Sequence, residues 1–341
     1  MLSVEHLIAS GRLASASSNF WAESGGKLGG ALIAIVVFAA VIGLLMFFAD
    51  NAPRRNRDFV QLILFVLPAL VLLSVGLVWP AIQTVWQSFT DDNGKFIAFE
   101  NFVTIATDPT MRRVLINTLV WVALVPSLSS SIGLAYAVFI DKSRGEKILK
   151  SLVFMPMAIS FVGASIIWGF MYTYRAPAFP QIGFLNQLLV WAGLPSQQFT
   201  ASSPMNTFYL IVIMVWIQTG FAMVIFSAAI KGVPGELNEA AALDGANAWQ
   251  RFWNVTVPWI RGSIVVVVTT ITIATLKVFD IVRTVTGGQF NTSVVANEMY
   301  SRAFRLGQPS LGAALAVVLF LMVFPIIMYN VRTLRRYKEA H

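Results

Sequence analysis

The chain has 341 residues, of which 57% are hydrophobic and 12% charged, with a formal net charge of +8. Soluble domains carry about a quarter charged residues, so a surface this poor in charge must face lipid over much of its area, and an integral membrane protein is implied. Cysteine is absent, which excludes a disulfide framework, a cysteine-based zinc site and a thiol nucleophile. The basic excess reads as loop Lys and Arg that set membrane orientation rather than as a nucleic-acid surface.

An α-helix needs about 20 apolar residues to cross the hydrocarbon. Uncharged stretches of that order occupy 31–49, 59–84, 114–140, 151–174, 205–230 and 311–331. A seventh, 263–285, is interrupted only by Lys277, Asp280 and Arg283. The first stretch can be read as a signal peptide, but its apolar run exceeds the usual length of about 7–15 residues. Its leader holds only Arg12 and Lys27 as basic residues, and Arg54, Arg55 and Arg57 follow it. A retained helix inserted with its N-terminus outside is the better reading.

The basic residues fix a single orientation. Arg54, Arg55 and Arg57 follow the first span, and Lys142, Arg144, Lys147 and Lys150 the third. Lys231, Arg251 and Arg261 follow the fifth, and Arg332, Arg335, Arg336 and Lys338 the last. These segments alternate in topology, so all of them can lie inside. The expectation is an N-terminus outside and a C-terminus in the cytoplasm, with 89–113 and 175–204 as outer segments.

The longest inner loop, 231–262, reads as helix, glycine elbow, helix. Pro234 suits a first helical position, where its missing N–H would be unpaired anyway. Glu236 and Glu239 then lie near the positive end of a short helix, and Gly245 can take the left-handed conformation that ends it. A second short helix is expected over Ala248 to Val255, with Pro258 marking re-entry into the membrane. Ala240, Ala241 and Ala242 keep the first helix thin, and Leu237 and Leu243 supply apolar anchors for docking in a partner's groove. An ordinary solvated helical hairpin explains the same residues. Trp249 and Trp253 read as a cover for the hairpin.

The sixth span carries charge inside the membrane, which is costly and marks a functional candidate. In a continuous helix Lys277 and Asp280 share a face, with Thr272, Thr275, Arg283 and Thr284 alongside. They are read either as a mutually neutralising pair, or as residues already at the outer interface, or as the wall of a wet cavity. An ion relay on this face would make the chain an ion-coupled secondary transporter. No Gly-x4-Gly-Lys-Ser/Thr loop is present, since Gly26-Lys27-Leu28 and Gly94-Lys95-Phe96 lack its context. ATP-driven transport would therefore need a separate ATPase. No G-x-S-x-G elbow or H-E-x-x-H pair is present to support a membrane enzyme, and His6 and His341 lie near the two ends.

The inner loop resembles the EAA loop of binding-protein-dependent ABC importer permeases: Glu-Ala-Ala, three residues, Gly, nine residues, then Ile-x-Leu-Pro. The matching positions are Glu239-Ala240-Ala241, Asp244-Gly245-Ala246 and Val255-Thr256-Val257-Pro258. Pro68 and Pro80 with Ser88-Phe89, Glu100-Asn101-Phe102, Asn117-Thr118-Leu119, Pro156, Trp168, Phe279-Asp280, Thr286-Gly287-Gly288, Tyr300 and Gly312-Ala313-Ala314 extend the likeness over about 60–336. Within that family the chain is most similar to the F-type sugar permeases of the maltose class, nearest the α-glucoside systems.

The resemblance implies an all-α integral membrane protein with a six-helix type I ABC importer permease core; the apolar stretch 31–49, which lies outside that core and matches nothing specific in the family, adds one extra N-terminal transmembrane helix. It implies a tail, extra helix and basic loop over 1–58, a permease domain over 59–336 and a cytoplasmic tail over 337–341. It implies no catalytic centre, metal or cofactor on this chain, and ATP-Mg on a partner ATPase dimer. The other implied partners are a second related permease, a periplasmic sugar-binding protein and the membrane lipid, with this chain itself a multi-pass protein of the bacterial inner membrane. Glu239, Ala240, Ala241, Asp244, Gly245 and Pro258 are then the ATPase-coupling residues. The sugar is expected between the stretch before the EAA loop (Trp216, Gln218, Thr219, Phe221) and the helix after it (Thr275, Lys277, Phe279, Asp280). Phe221 stands where the maltose pattern has a tyrosine, so a hydroxyl contact is missing there.

Overall fold

A computed structural model describes residues 27, 29–44, 46–47, 57–141 and 143–339. Expectations for Arg12, Arg54, Arg55, Lys142, His6, His341 and the end of the 31–49 span fall outside the described residues. The regular structure of the described residues is helical, and among them extended backbone pairs only at an isolated bridge between Thr90 and Phe96. It divides into two compact units, Met1–Ile82 and Gln83–His341.

The first unit contains α1 (Gly29–Leu44), α2 (Arg57–Leu73) and the start of α3 (Trp79–Gln87). Leu62–Gln87 forms a 26-residue apolar helical run in place of the expected 59–84. A π-helical turn, Ser74–Val78, joins α2 to α3, and the Trp79 N–H donates to the Ser74 carbonyl. Pro80 follows at once. A proline removes one rung of the α-helical ladder and its ring crowds the carbonyl a turn earlier, and a widened turn relieves that crowding.

The second unit continues through α4 (Glu100–Thr107), α5 (Pro109–Ile140), α6 (Glu146–Phe154), α7 (Phe161–Met171), α8 (Phe184–Trp191) and α9 (Met205–Lys231). Then come α10 (Gly235–Leu243), α11 (Ala248–Arg251), α12 (Val257–Leu276), α13 (Asp280–Val285), α14 (Val295–Phe304) and α15 (Pro309–Glu339). Helix α5 starts where Asp108 accepts the Met111 N–H at 2.9 Å and Pro109 takes the first helical position, an N-cap and proline in their favoured places.

Helix α9 is the axis of this unit. Of its most apolar window 61% is buried, against 22% for α15, as expected of a helix that is hydrophobic all round. Ile213, Met214, Ile217, Met223 and Phe226 of α9 pack in one cluster with Trp121 and Val125 of α5 and Val267 and Ile271 of α12. Two glycines let backbones meet, as small residues do between membrane helices. A Cβ at Gly133 would lie 2.6 Å from that of Ala222, and a Cβ at Gly220 would lie 2.6 Å from the Val153 carbonyl oxygen.

Two expected spans are revised. The stretch 151–174 is not one helix: Glu146–Ala158 and Phe161–Met171 meet at a bend of 102°. Pro156 sits in the 3-10 turn Met155–Ala158, and the Ser160 hydroxyl accepts the Gly163 N–H at 3.1 Å to begin α7 anew. The stretch 263–285 is also displaced. The apolar crossing runs over Ala248–Leu276 and stops at Lys277, which caps α12. Among the described residues, five helices are long and apolar enough to cross a membrane, or six crossings when the bent pair counts as one, the number expected of the core.

Candidate functional site

At the end of the bundle carrying 231–262, the chain leaves α9 through Gly232, Val233 and Pro234 and forms α10. Pro234 is the N-cap of α10, with φ −56° and ψ 131°, and Gly235 takes the first helical position instead. Gly245 has φ +84°, as anticipated. Its N–H donates to the Ala242 carbonyl at 3.1 Å and the Ala246 N–H to the Ala241 carbonyl at 3.0 Å. These two bonds are the Schellman closure, which requires a left-handed residue after the C-cap; here Asp244 is the C-cap and Gly245 that residue.

The turn out of the elbow is fixed by a device absent from the sequence reading. Asn247 Oδ1 accepts the Gln250 N–H at 2.9 Å, and Gln250 Oε1 accepts the Asn247 N–H at 2.8 Å. This reciprocal capping box is legible as Asn-x-x-Gln. From Ala248 the helix then runs unbroken to Leu276. Pro258 therefore lies inside a helical run. It is accommodated by a π turn, Phe252–Thr256, in which the Val257 N–H donates to the Phe252 carbonyl, the same solution used before Pro80.

Helix α10 buries none of its side chains. Glu239, Ala240 and Asp244 are exposed, and Ala241 is half-buried. The two expected anchors separate: Leu243 is 89% exposed, whereas Leu237 lines a groove of about 740 Å³ with Val255, Pro258, Trp259 and Arg261. Trp249 and Trp253 do not cover the hairpin. Their rings meet edge to face at 5.6 Å, and with Phe252 they line an apolar groove of about 510 Å³ against Leu134, Val138 and Phe139 of α5.

A cavity of about 230 Å³ lies where both helix breaks converge. It is lined by Phe161 at the start of α7, Met214 of α9, Ala274 of α12, and Lys277, Val278, Phe279, Asp280 and Ile281 at the second break. Lys277 closes α12 and Asp280 opens α13, so they occupy no common helix face and no ion pair joins them. Both still line this cavity. Interrupted helices that line a cavity commonly form the substrate site in secondary transporters. Phe279 meets Tyr300 in a tilted ring contact at 5.1 Å, and the Tyr300 ring also carries the Arg283 guanidinium at 5.1 Å.

The remaining expected substrate residues lie elsewhere. Thr219 and Thr275 are buried and donate to the Val215 and Ile271 carbonyls of their own helices, each at 2.7 Å. Trp216 and Phe221 are half-buried against the core, and Trp216 meets Trp168 edge to face at 5.8 Å. Gln218 is half-buried. Thus Lys277, Phe279 and Asp280 come together, while Trp216, Gln218, Thr219, Phe221 and Thr275 are not part of the cavity lining. Phe161 and Met214 were missed, although Pro156 and Ser160 signal the break that delivers Phe161.

The loop after α13 is held from a distance. Asn117 Nδ2 donates to the Asn291 and Ser293 carbonyls at 2.7 and 2.9 Å, Thr118 Oγ1 accepts the Val295 N–H at 3.0 Å, and Asn206 Nδ2 donates to the Phe290 carbonyl at 2.7 Å. Phe290 and Asn291 both have positive φ, 54° and 62°. Their conformation is sparsely populated for side-chain-bearing residues, and these three side chains hold the loop in it.

The chain is 46% identical over 270 residues to the osmoprotective compounds uptake permease protein GgtC of Synechocystis sp., covering 79% of this chain and 97% of that protein. It is 46% identical over 280 residues to the alpha-glucoside transport system permease protein AglF of Rhizobium meliloti, covering 82% and 83%. Its fold matches a subunit of a bacterial ABC transporter involved in the import of the acidic polysaccharide alginate, with a TM-score of 0.72, 22% identity and coverage of 83% and 98%. Residues 127–336 match the family of binding-protein-dependent transport system inner membrane components. With that match and relatives that are transport permeases rather than enzymes, the chain belongs to this family, the multi-pass permeases of ABC importers.

Proposed function

We propose that this permease passes a carbohydrate of the α-glucoside class, such as maltose, trehalose or sucrose, across the bacterial inner membrane by alternating access. A periplasmic binding protein delivers the sugar, a second related permease completes the pathway, and an ATPase dimer binding ATP-Mg docks on α10. The N-terminus is outside and α10 is cytoplasmic, in keeping with the basic residues at that end of the spans. The observation that carries the coupling part is α10 itself, an exposed helix closed by its own backbone bonds, with Leu243 89% exposed at its tip. Full burial of a leucine side chain contributes roughly 1.5–3 kcal/mol, and a helix of this kind suits a partner's groove.

The substrate class rests on the relative named for alpha-glucoside transport and on the cavity chemistry. Lys277 and Asp280 offer a donor and an acceptor beside Phe161 and Phe279, a combination able to hydrogen-bond sugar hydroxyls and pack against sugar C–H faces. Gln218, one turn from Met214 on α9, is a further candidate contact when the pathway opens.

The test is purification of the tagged chain from its native membrane, as wild type and as Gly245→Pro, with uptake of labelled maltose, trehalose and sucrose measured in vesicles. Proline cannot take φ +84°. The expected result is a co-purifying ATPase and second permease with wild type, and loss of the ATPase and of uptake in the variant despite normal membrane insertion. A variant that keeps both would remove the coupling assignment, and wild-type vesicles inert toward all three sugars would remove the substrate class.

A further inference from the structure

Outside the elbow and the cavity, a second polar cluster joins three helices at the end of the bundle nearest α10. Lys150 of α6 donates to Asp141, the C-cap of α5, to Glu146 one turn earlier at 2.9 Å, and to the Ser227 hydroxyl of α9. Ser227 in turn donates to the same Asp141 oxygen at 2.7 Å, and Glu146 also takes Lys231. Two carboxylates therefore face two ammonium groups in one connected network. The Asp141 and Lys150 side chains are only 9% and 21% exposed, where such pairs are screened far less than at an open surface.

Its position gives the network a use. Lys231 is the last residue of α9, and only Gly232, Val233 and Pro234 separate it from α10. At its other end α6 leads through the 3-10 turn to the break at Ile159 and Ser160, and then to Phe161 in the cavity wall. Along the same contact the Gly220 backbone of α9 sits directly against that of Val153 and Phe154. A displacement of α10 thus reaches α9 covalently, α6 through Glu146 and Lys150, and the cavity through the broken span.

We infer that Lys150 is a positioning residue for transport coupling, locking α6 to the last turn of α9 so that motion of the docking helix reaches the cavity. The inference rests on the reading of α10 as the ATPase-docking helix. A purely structural lysine would change how much transporter assembles; a coupling lysine changes how much sugar moves for each ATP consumed.

The experiment uses the complete transporter, with its ATPase, second permease and binding protein, in proteoliposomes, recording sugar uptake and ATP hydrolysis on the same sample. Lys150→Met is expected to retain its ATPase subunits and continue hydrolysis while sugar moved per ATP falls about tenfold, within the usual range of coupling between sites. Lys150→Arg is expected to restore the ratio. Should Lys150→Met fail to assemble, Ser227→Ala keeps all four charges and is expected to lower the same ratio by a smaller factor. An unchanged ratio in whichever variant assembles, with uptake and hydrolysis falling together or not at all, overturns the inference. Gly245→Pro run alongside separates the two readings. Loss of the ATPase there with an unchanged ratio at Lys150 sinks only the lock, whereas retention of ATPase and uptake in Gly245→Pro sinks the docking reading beneath it.

Discussion

The elbow after α10 and the loop after α13 both depend on residues in left-handed conformations, yet they are held by opposite means. At the elbow every stabilising bond is local: Ala246 to Ala241, Gly245 to Ala242, Asn247 with Gln250. At the far loop the decisive bonds come from α5 and α9, with Asn117 reaching Asn291 across 174 positions and Asn206 reaching Phe290 across 84. A locally closed element keeps its shape while it is carried from place to place, as a docking helix must. An element clamped from neighbouring helices keeps its shape only while those helices hold their places. The contrast suits the proposed coupling, in which α10 moves with a partner while the loop after α13 stays fixed.

The largest effect expected from breaking this contrast is at Asn117. Asn117→Leu removes both donors and leaves the Asn291 and Ser293 carbonyls without partners. The Ser293 carbonyl is buried, where an unpaired group costs about 1–3 kcal/mol, a large part of a marginal stability; the Asn291 carbonyl, on an exposed residue, adds less. The variant is expected to lose thermal stability in detergent and to lose uptake, while still retaining the ATPase through an intact α10. Loss of the ATPase together with stability would show that the two ends are not independent.

How much was legible in the sequence follows the same division. Glu239, Gly245 and their spacing could be read because a helix and its glycine cap are written in adjacent residues. The error there was one position, with Pro234 capping α10 instead of entering it. The Asn247-x-x-Gln250 capping box is equally local and equally legible. The bend in 151–174 was signalled by Pro156 and Ser160 and hidden by an apolar run that looked continuous.

The break after Leu276 had no such signal. Lys277-Val278-Phe279-Asp280 contains neither Gly nor Pro, so a continuous helix placed Lys277 and Asp280 on one face where the folded chain places them at two helix ends. What fixes α13 there is packing on α7 and α9, with Ile281 and Val282 buried, and contacts at that separation leave no mark on periodicity. The same holds for the Thr219 and Thr275 hydroxyls, which the sequence offers as ligand groups and the helices use on their own carbonyls.

A smaller effect is expected at Leu243, which sharpens the comparison from the elbow side. Being 89% exposed, it contributes nothing to the fold of the isolated chain, so Leu243→Ser should leave the melting temperature of the purified permease unchanged. If the ATPase groove buries it, the variant loses up to about 1.5–3 kcal/mol of docking, and ATPase retention should weaken roughly tenfold for each 1.4 kcal/mol. Equal retention by both proteins would mean that Leu243 stays in solvent in the complex.

The smallest effect is at Asn247, and it is the most discriminating. Asn247→Ala removes an N-cap at a cost of about 1 kcal/mol, but the helix it begins runs on to Leu276 and is held by the core along its length. Helices in folded proteins owe most of their stability to such packing rather than to their ends. The loss is therefore expected to appear as fraying of Ala248–Arg251 and a loosened elbow, with no global unfolding. Faster amide exchange confined to 245–251, at an unchanged melting temperature and with a modest fall in ATPase retention, is the expected outcome. Exchange spreading into α12 would show that the elbow is not a self-contained unit, and the opposition between the two ends would no longer hold.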